Sequence, residues 1–189
     1  MAASGYYVVS GIILKRRNIG EADRLVTIFT KENGKITAVA KGVRRIYSRR
    51  SPYMELFRHV RVTLAKGKSM DTVTEAVGIG PTGTGARSLS RFGHYAYVCE
   101  LVDRLVPERA EHADVYGLLV SVLQSIRTAT SWAQLQGCVH EFALTLLRHL
   151  GFLPPDEQLT AGGIERFVEN IIERKLTSPQ LLTRLAPRG

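Results

Sequence analysis

The run Lys41-Gly42-Val43-Arg44-Arg45-Ile46-Tyr47-Ser48-Arg49-Arg50 puts five cations into ten residues, with no acid and one aromatic among them. Guanidinium and ammonium groups at that density suit phosphate oxygens, and a ring among them can stack on a base. Lys15, Arg16 and Arg17 form a second run, and Lys66 and Lys68 flank Gly67. A single charge run is usually a solvated loop. Several such runs in one short stretch cost self-repulsion unless an anion is to be met. Tyr47, Tyr53 and Phe57 offer rings for stacking, although Tyr53 and Phe57 fit a barrel core equally well.

Other chemistry finds little support. Cys99 and Cys138 fall on apolar stripes without a CxxC partner, which makes them buried thiols rather than half of a zinc site. The five histidines form no HExxH pattern, and the glycines between 78 and 85 match neither a Walker loop nor a dinucleotide-binding turn. Glu21, Asp23 and Glu55 have no spacing that favours acid–base work. No catalytic residue, metal ligand or cofactor is therefore expected.

The elements that must position these cations follow from charge and periodicity. Of the 189 residues, 1–80 hold 15 Lys+Arg against 6 Asp+Glu, whereas 81–189 hold 11 of each, so the whole net charge of +9 lies in the first part. Four glycines and a proline between Gly78 and Gly85 punctuate the chain at the same place. The expected organisation is a basic module over 1–80 and a neutral one over 81–189. In the first, Tyr6–Arg17, Arg24–Thr30, Lys35–Lys41, Val60–Leu64 and Asp71–Val77 read as five short strands, with Asn33-Gly34 as the tight turn of a hairpin. Five strands without a crossover helix predict an OB-fold barrel, an SH3-like barrel being the competitor. In the second, apolar residues recur every three or four positions. They predict helices around Phe92–Val106, Val115–Ile126, Trp132–Leu150 and Ile164–Leu176, with Ser131 and Gln134 as a capping box and Ser178-Pro179 opening a short last helix. The fold class is thus α+β: a barrel followed by an all-α bundle. No apolar run spans a bilayer and no secretory leader is evident, which points to the cytoplasm.

The segments Gly11-Ile12-Ile13-Leu14-Lys15, Gly20 to Thr30, Gly34-Lys35 and Ala38 to Arg45 resemble the RecO family of recombination mediators. Weaker matches lie at Glu55-Leu56-Phe57, Leu64 to Lys68, Asp71 to Ala76, Leu101 to Pro107 and Phe142 to Phe152. The resemblance implies an N-terminal OB-fold and a helical domain, binding of single- and double-stranded DNA, annealing, and loading of RecA with RecR onto DNA coated by single-stranded DNA-binding protein, all without nucleotide hydrolysis. The DNA-binding set is then Lys15, Arg16, Arg17, Arg24, Lys35, Lys41, Arg44, Arg45, Tyr47, Arg49, Arg50, Lys66 and Lys68. The acidic, hydrophobic C-terminal tail of the single-strand binder would meet the helix Trp132–Leu150 near His140 and Leu144. Beyond Pro154, where many members carry a four-cysteine zinc module, this chain has Pro155-Asp156-Glu157-Gln158-Leu159 and no cysteine.

If about five cations neutralise phosphates, log K should fall against log salt with a slope of about −3 to −4 on single strands. No base-reading helix is apparent, so backbone recognition with weak sequence preference is expected. An OB-fold RNA-binding factor of translation, a nuclease and a purely structural adaptor are the rival readings.

Overall fold

The computed structural model describes residues 5–80 and 89–180. The chain divides into two compact units, residues 1–84 with 107–113 and residues 85–106 with 114–189. Segment 107–113, expected with the helices, therefore belongs to the barrel unit.

The first unit is a closed barrel of β1 (Tyr6–Ile19), β2 (Asp23–Thr30), β3 (Gly34–Ala40), β4 (His59–Ala65) and β5 (Asp71–Gly78). The order β1-β2-β3-β5-β4, closing back onto β1, gives the OB-fold. One long strand closes it: β1 pairs with β4 over Tyr6–Ile12 and with β2 over Gly11–Ile19, with a register shift between Ile13 and Lys15. Gly11 sits at this crossing because a Cβ there would lie 2.5 Å from the Ile28 side chain and 2.9 Å from the Phe29 carbonyl oxygen. Alternation along β4 works as expected, with Val60, Val62 and Leu64 in the core and Arg61 exposed.

The β2–β3 hairpin is antiparallel, but its turn is longer than Asn33-Gly34 suggested. Thr30 pairs with Gly34 across a three-residue loop, and of the two residues only Gly34 has a positive φ, +62°. Thr30 Oγ1 accepts from the Asn33 N–H at 3.0 Å and donates to the Gly34 carbonyl at 2.8 Å, which stabilises the wider loop. Gly34 is required twice over, since a Cβ would stand 2.1 Å from the Ala110 carbonyl oxygen. There segment 107–113 runs beside β3, Glu108 forming a parallel bridge with Lys35, and the Arg109 N–H donates to the Lys35 carbonyl at 2.9 Å.

The second unit contains α1 (Leu89–Leu105), α2 (Ala113–Thr128), α3 (Trp132–His149) and α4 (Ala161–Ile172). Ser131 caps α3 by accepting from the Gln134 N–H, while Gln134 accepts from the N–H of Thr130 rather than of Ser131. Helix α4 begins a turn earlier than its apolar stripe, capped by Thr160, and ends earlier, at Glu173 in the left-handed region. Gly162 and Gly163, poor helix formers, hide that start. Ser178–Gln180 open a further helical turn, whose first amides are capped by the Glu100 carboxylate at 2.7 to 3.1 Å. Most of the proposed linker, Pro81–Gly85, lies outside the described residues.

Candidate nucleic-acid interface

The basic run forms the connection between β3 and β4, and the barrel holds it at both ends. Val43 and Met54 are fully buried in the barrel core. Gly42, at φ +65°, turns its N–H to Asp23 Oδ1 at 2.7 Å, and the Arg44 N–H reaches the Ala22 carbonyl at 2.9 Å. Because Val43 points inward, Lys41, Arg44 and Arg45 remain outside. The Ser48 N–H then bonds the Arg45 carbonyl at 2.9 Å and closes a turn with Ile46 and Tyr47 at its centre. Arg50 bends back instead. Its guanidinium donates to the carbonyls of Lys41 at 2.8 Å and Val73 at 2.5 Å, tying the loop to β5. Those partners are neutral, so Arg50 keeps its charge while acting as a clamp.

A groove of about 1040 Å³ lies at this loop, lined by Lys41, Arg45, Tyr47 and Arg49 of the loop and by Thr74 to Val77 of β5. Lys41, Arg44, Arg45 and Arg49 are exposed, and none of the four forms an ion pair among the described residues. Asp23 and Glu75 also line the groove. Asp23 is engaged by the Gly42 amide and Glu75 by the Thr63 hydroxyl. The chemistry is that of a cationic surface open to a polyanion.

Two of the expected DNA contacts are corrected. Arg24 is only 7% exposed: it donates to Met54 O at 2.9 Å, Glu55 Oε1 at 2.8 Å and Asn18 Oδ1 at 3.3 Å. It is a strut beneath the loop, because β2 carries it to the side where Met54 enters the core. Lys35, 8% exposed, lies where segment 107–113 pairs in parallel with β3 through Glu108. Arg16 is exposed, yet its guanidinium is paired with Glu55 at 2.8 Å. Lys15 and Arg17 stand opposite Thr27 and Leu25 on the outer side of the β1–β2 hairpin. Phe57 is buried and Tyr53 packs against the core, which leaves Tyr47 as the exposed ring.

Lys66 and Lys68 line a different groove, of about 610 Å³, together with Arg109. Asp71 organises it by accepting from the Tyr7 hydroxyl at 2.5 Å and the Gly67 N–H at 3.1 Å. Burial, then the Asp71 bond and charge, push the Tyr7 hydroxyl up to about 12. The two grooves meet β5 at Asp71 and at Thr74–Val77, about 10 to 20 Å apart along the strand. Of the expected cations, Lys41, Arg45, Arg49 and Arg50 thus line one groove and Lys66 and Lys68 the other, while Lys15, Arg16 and Arg17 line neither. Arg109, which lines the second groove, is not legible from the sequence because it is remote from Lys66 and Lys68 in the chain.

In the helical unit Leu144 is 2% exposed and belongs to the core, which corrects its assignment to a partner surface. His140 does line a groove, of about 470 Å³, with Trp132, His94, Ala143, Ile164 and Glu165. His94 and Trp132 meet edge to face at 5.1 Å. The accessible face of α3 therefore runs through Trp132, Gln136 and His140 rather than through His140 and Leu144. Burial and the neighbouring Glu169 raise the Glu165 carboxyl above its ordinary value. Cys99 is buried, and its thiol is pushed up by loss of water; Cys138 is half-buried and donates to Leu135 O at 3.2 Å.

Strand order and rim chemistry together define an OB-fold protein with a cationic groove on its third connection and a helical unit in the same chain. Residues 4–82 match the family described as Recombination protein O N terminal, and residues 86–163 the one described as Recombination protein O C terminal. The chain belongs to the RecO family. Among its relatives, the DNA repair protein RecO of Symbiobacterium thermophilum is 34% identical over 168 residues, covering 87% of this chain and 64% of the relative. That of a Roseiflexus species is 35% identical over 157 residues, covering 83% and 54%. That of a Nocardioides species is 41% identical over 159 residues, covering 83% and 64%. The chain thus spans between half and two thirds of the length of these relatives.

Proposed function

We propose that this chain is a non-enzymatic DNA repair and recombination mediator whose barrel binds single- and double-stranded DNA by the phosphate backbone and anneals complementary strands. It works with RecR to load RecA onto DNA coated by single-stranded DNA-binding protein, in the cytoplasm at the nucleoid. The observation that carries this reading is the pinned loop 41–50, with Lys41, Arg45 and Arg49 lining one groove, Arg44 exposed on the same loop, and all four unpaired with carboxylates among the described residues. Annealing requires that two polyanions approach and that neither is held so tightly that pairing loses. Backbone contacts from flexible cations around an open groove meet both requirements. The site we assign to the C-terminal tail of the single-strand binder is the groove beside Trp132 and His140, whose lining is mostly apolar and also carries His94 and Glu165. The division into a DNA-binding barrel and a helical protein-interaction domain is part of the same proposal.

The test combines charge and annealing. Reversing Arg44, Arg45 and Arg49 together should abolish gel-shift binding while leaving the helical circular dichroism unchanged. Arg50 is excluded because it holds the loop. Annealing is then measured on oligonucleotides saturated with the cognate single-strand binder, with and without RecR. No stimulation in either case overturns the mediator reading, and tighter binding to RNA than to DNA of equal length redirects it to RNA.

A further inference from the structure

The apex of loop 41–50 carries side chains that folding gives no reason to put there. Ile46 and Tyr47 occupy the two central positions of the turn closed by Arg45 and Ser48, where Gly, Pro, Asn and Asp normally dominate. Both are 93% exposed, whereas the other exposed large apolar side chains among the described residues reach at most 65%. The loop cannot relieve this by folding back, since Val43, the Gly42 and Arg44 amides and the Arg50 guanidinium fix it to the barrel. Arg44, Arg45 and Arg49 are exposed around the turn. A strand whose phosphates meet those cations brings its bases to the apolar pair. Tyrosine stacks on any base, and an aliphatic side chain can wedge between neighbouring bases.

We propose that the Ile46–Tyr47 tip enters among unpaired bases, Tyr47 stacking on one and Ile46 wedging beside it, so that the loop distinguishes strands with accessible bases from closed duplex. The inference rests on the nucleic-acid reading above and deepens it: the cations supply attachment common to every strand, and the tip supplies a preference. Stacking needs only a π-face, so this preference carries little sequence information.

The full chain, with Ile46→Ser/Tyr47→Ser and Tyr47→Phe variants, is titrated by fluorescence anisotropy against oligothymidylate and an abasic strand of equal length over a range of salt. The original chain should favour the base-bearing strand about 10-fold. The double serine variant should lose that advantage, bind both strands alike, and keep the salt slope, because no phosphate contact has gone. Tyr47→Phe should retain the advantage, since the ring and not the hydroxyl is used. Equal binding of both strands by the original chain, equal weakening of both by the serine variant, or loss of the advantage in Tyr47→Phe overturns the tip proposal alone. Absence of salt-dependent binding to either strand overturns it together with the nucleic-acid reading. Sedimentation with phosphatidylserine–phosphatidylcholine vesicles that depends on Ile46 and Tyr47, with no discrimination between strands, overturns it in favour of a bilayer.

Discussion

At the residue scale, cations of one chemical type have been given three tasks by their surroundings. Arg45 and Arg49 face solvent at the groove, Arg50 clamps carbonyls, and Arg24 braces Met54 and Glu55 from inside. Removing Arg24 would leave the buried Met54 carbonyl without its donor and Glu55 short of one partner. Arg24→Ala should therefore cost about 2–3 kcal/mol of stability, less than for a wholly buried pair because Glu55 is one third exposed. Arg45→Ala should stay within about 0.5 kcal/mol of the original while weakening DNA binding. Urea denaturation and anisotropy on both variants would separate strut from contact; a destabilised Arg45→Ala would erase the distinction.

At the element scale, turns and caps decide what the strands and helices present. Gly34 ends the β2–β3 loop at positive φ and admits the Ala110 carbonyl where a methyl group cannot go. Gly34→Ala should lower stability by about 2 kcal/mol or more, read as a fall in the urea midpoint, because strain and overlap act together. In α4, Glu165 holds its proton more tightly in the folded state than in the unfolded chain. The unfolded state then binds fewer protons, so stability falls as pH rises from the unfolded carboxyl value through the raised folded one. Glu165→Gln should thus raise the urea midpoint at neutral pH and leave it nearly unchanged below about pH 4. A midpoint difference that is the same at both pH values would exclude this cause.

At the scale of the whole molecule, two cationic grooves share one strand, β5, and their separation makes their relation testable. Lys66→Ala/Lys68→Ala should reduce the steepness of the single-strand salt slope by about 1.4, at about 0.7 for each cation. Its effect on log K should add to that of the loop substitutions if one strand touches both grooves. Two alternative sites would instead give small single losses and a large combined one. The sequence by itself determined the barrel and the helices, because alternation of period two and spacing of three to four are imposed locally by which face must leave water. Val60, Val62 and Leu64, and the stripe Leu135, Val139 and Phe142, are legible on those grounds. It also located the basic loop, since five cations without an acid stand out in any context. Only the tertiary structure decided which cations are available. Burial and pairing depend on partners distant in the chain: Glu55 and Met54 for Arg24, segment 107–113 beside Lys35, Val73 for Arg50. For the same reason it alone revealed Arg109 beside Lys66 and turned Leu144 inward while leaving His140 at a groove. Composition fixes how much charge a chain carries, but the field that charge makes depends on where the folded backbone puts it.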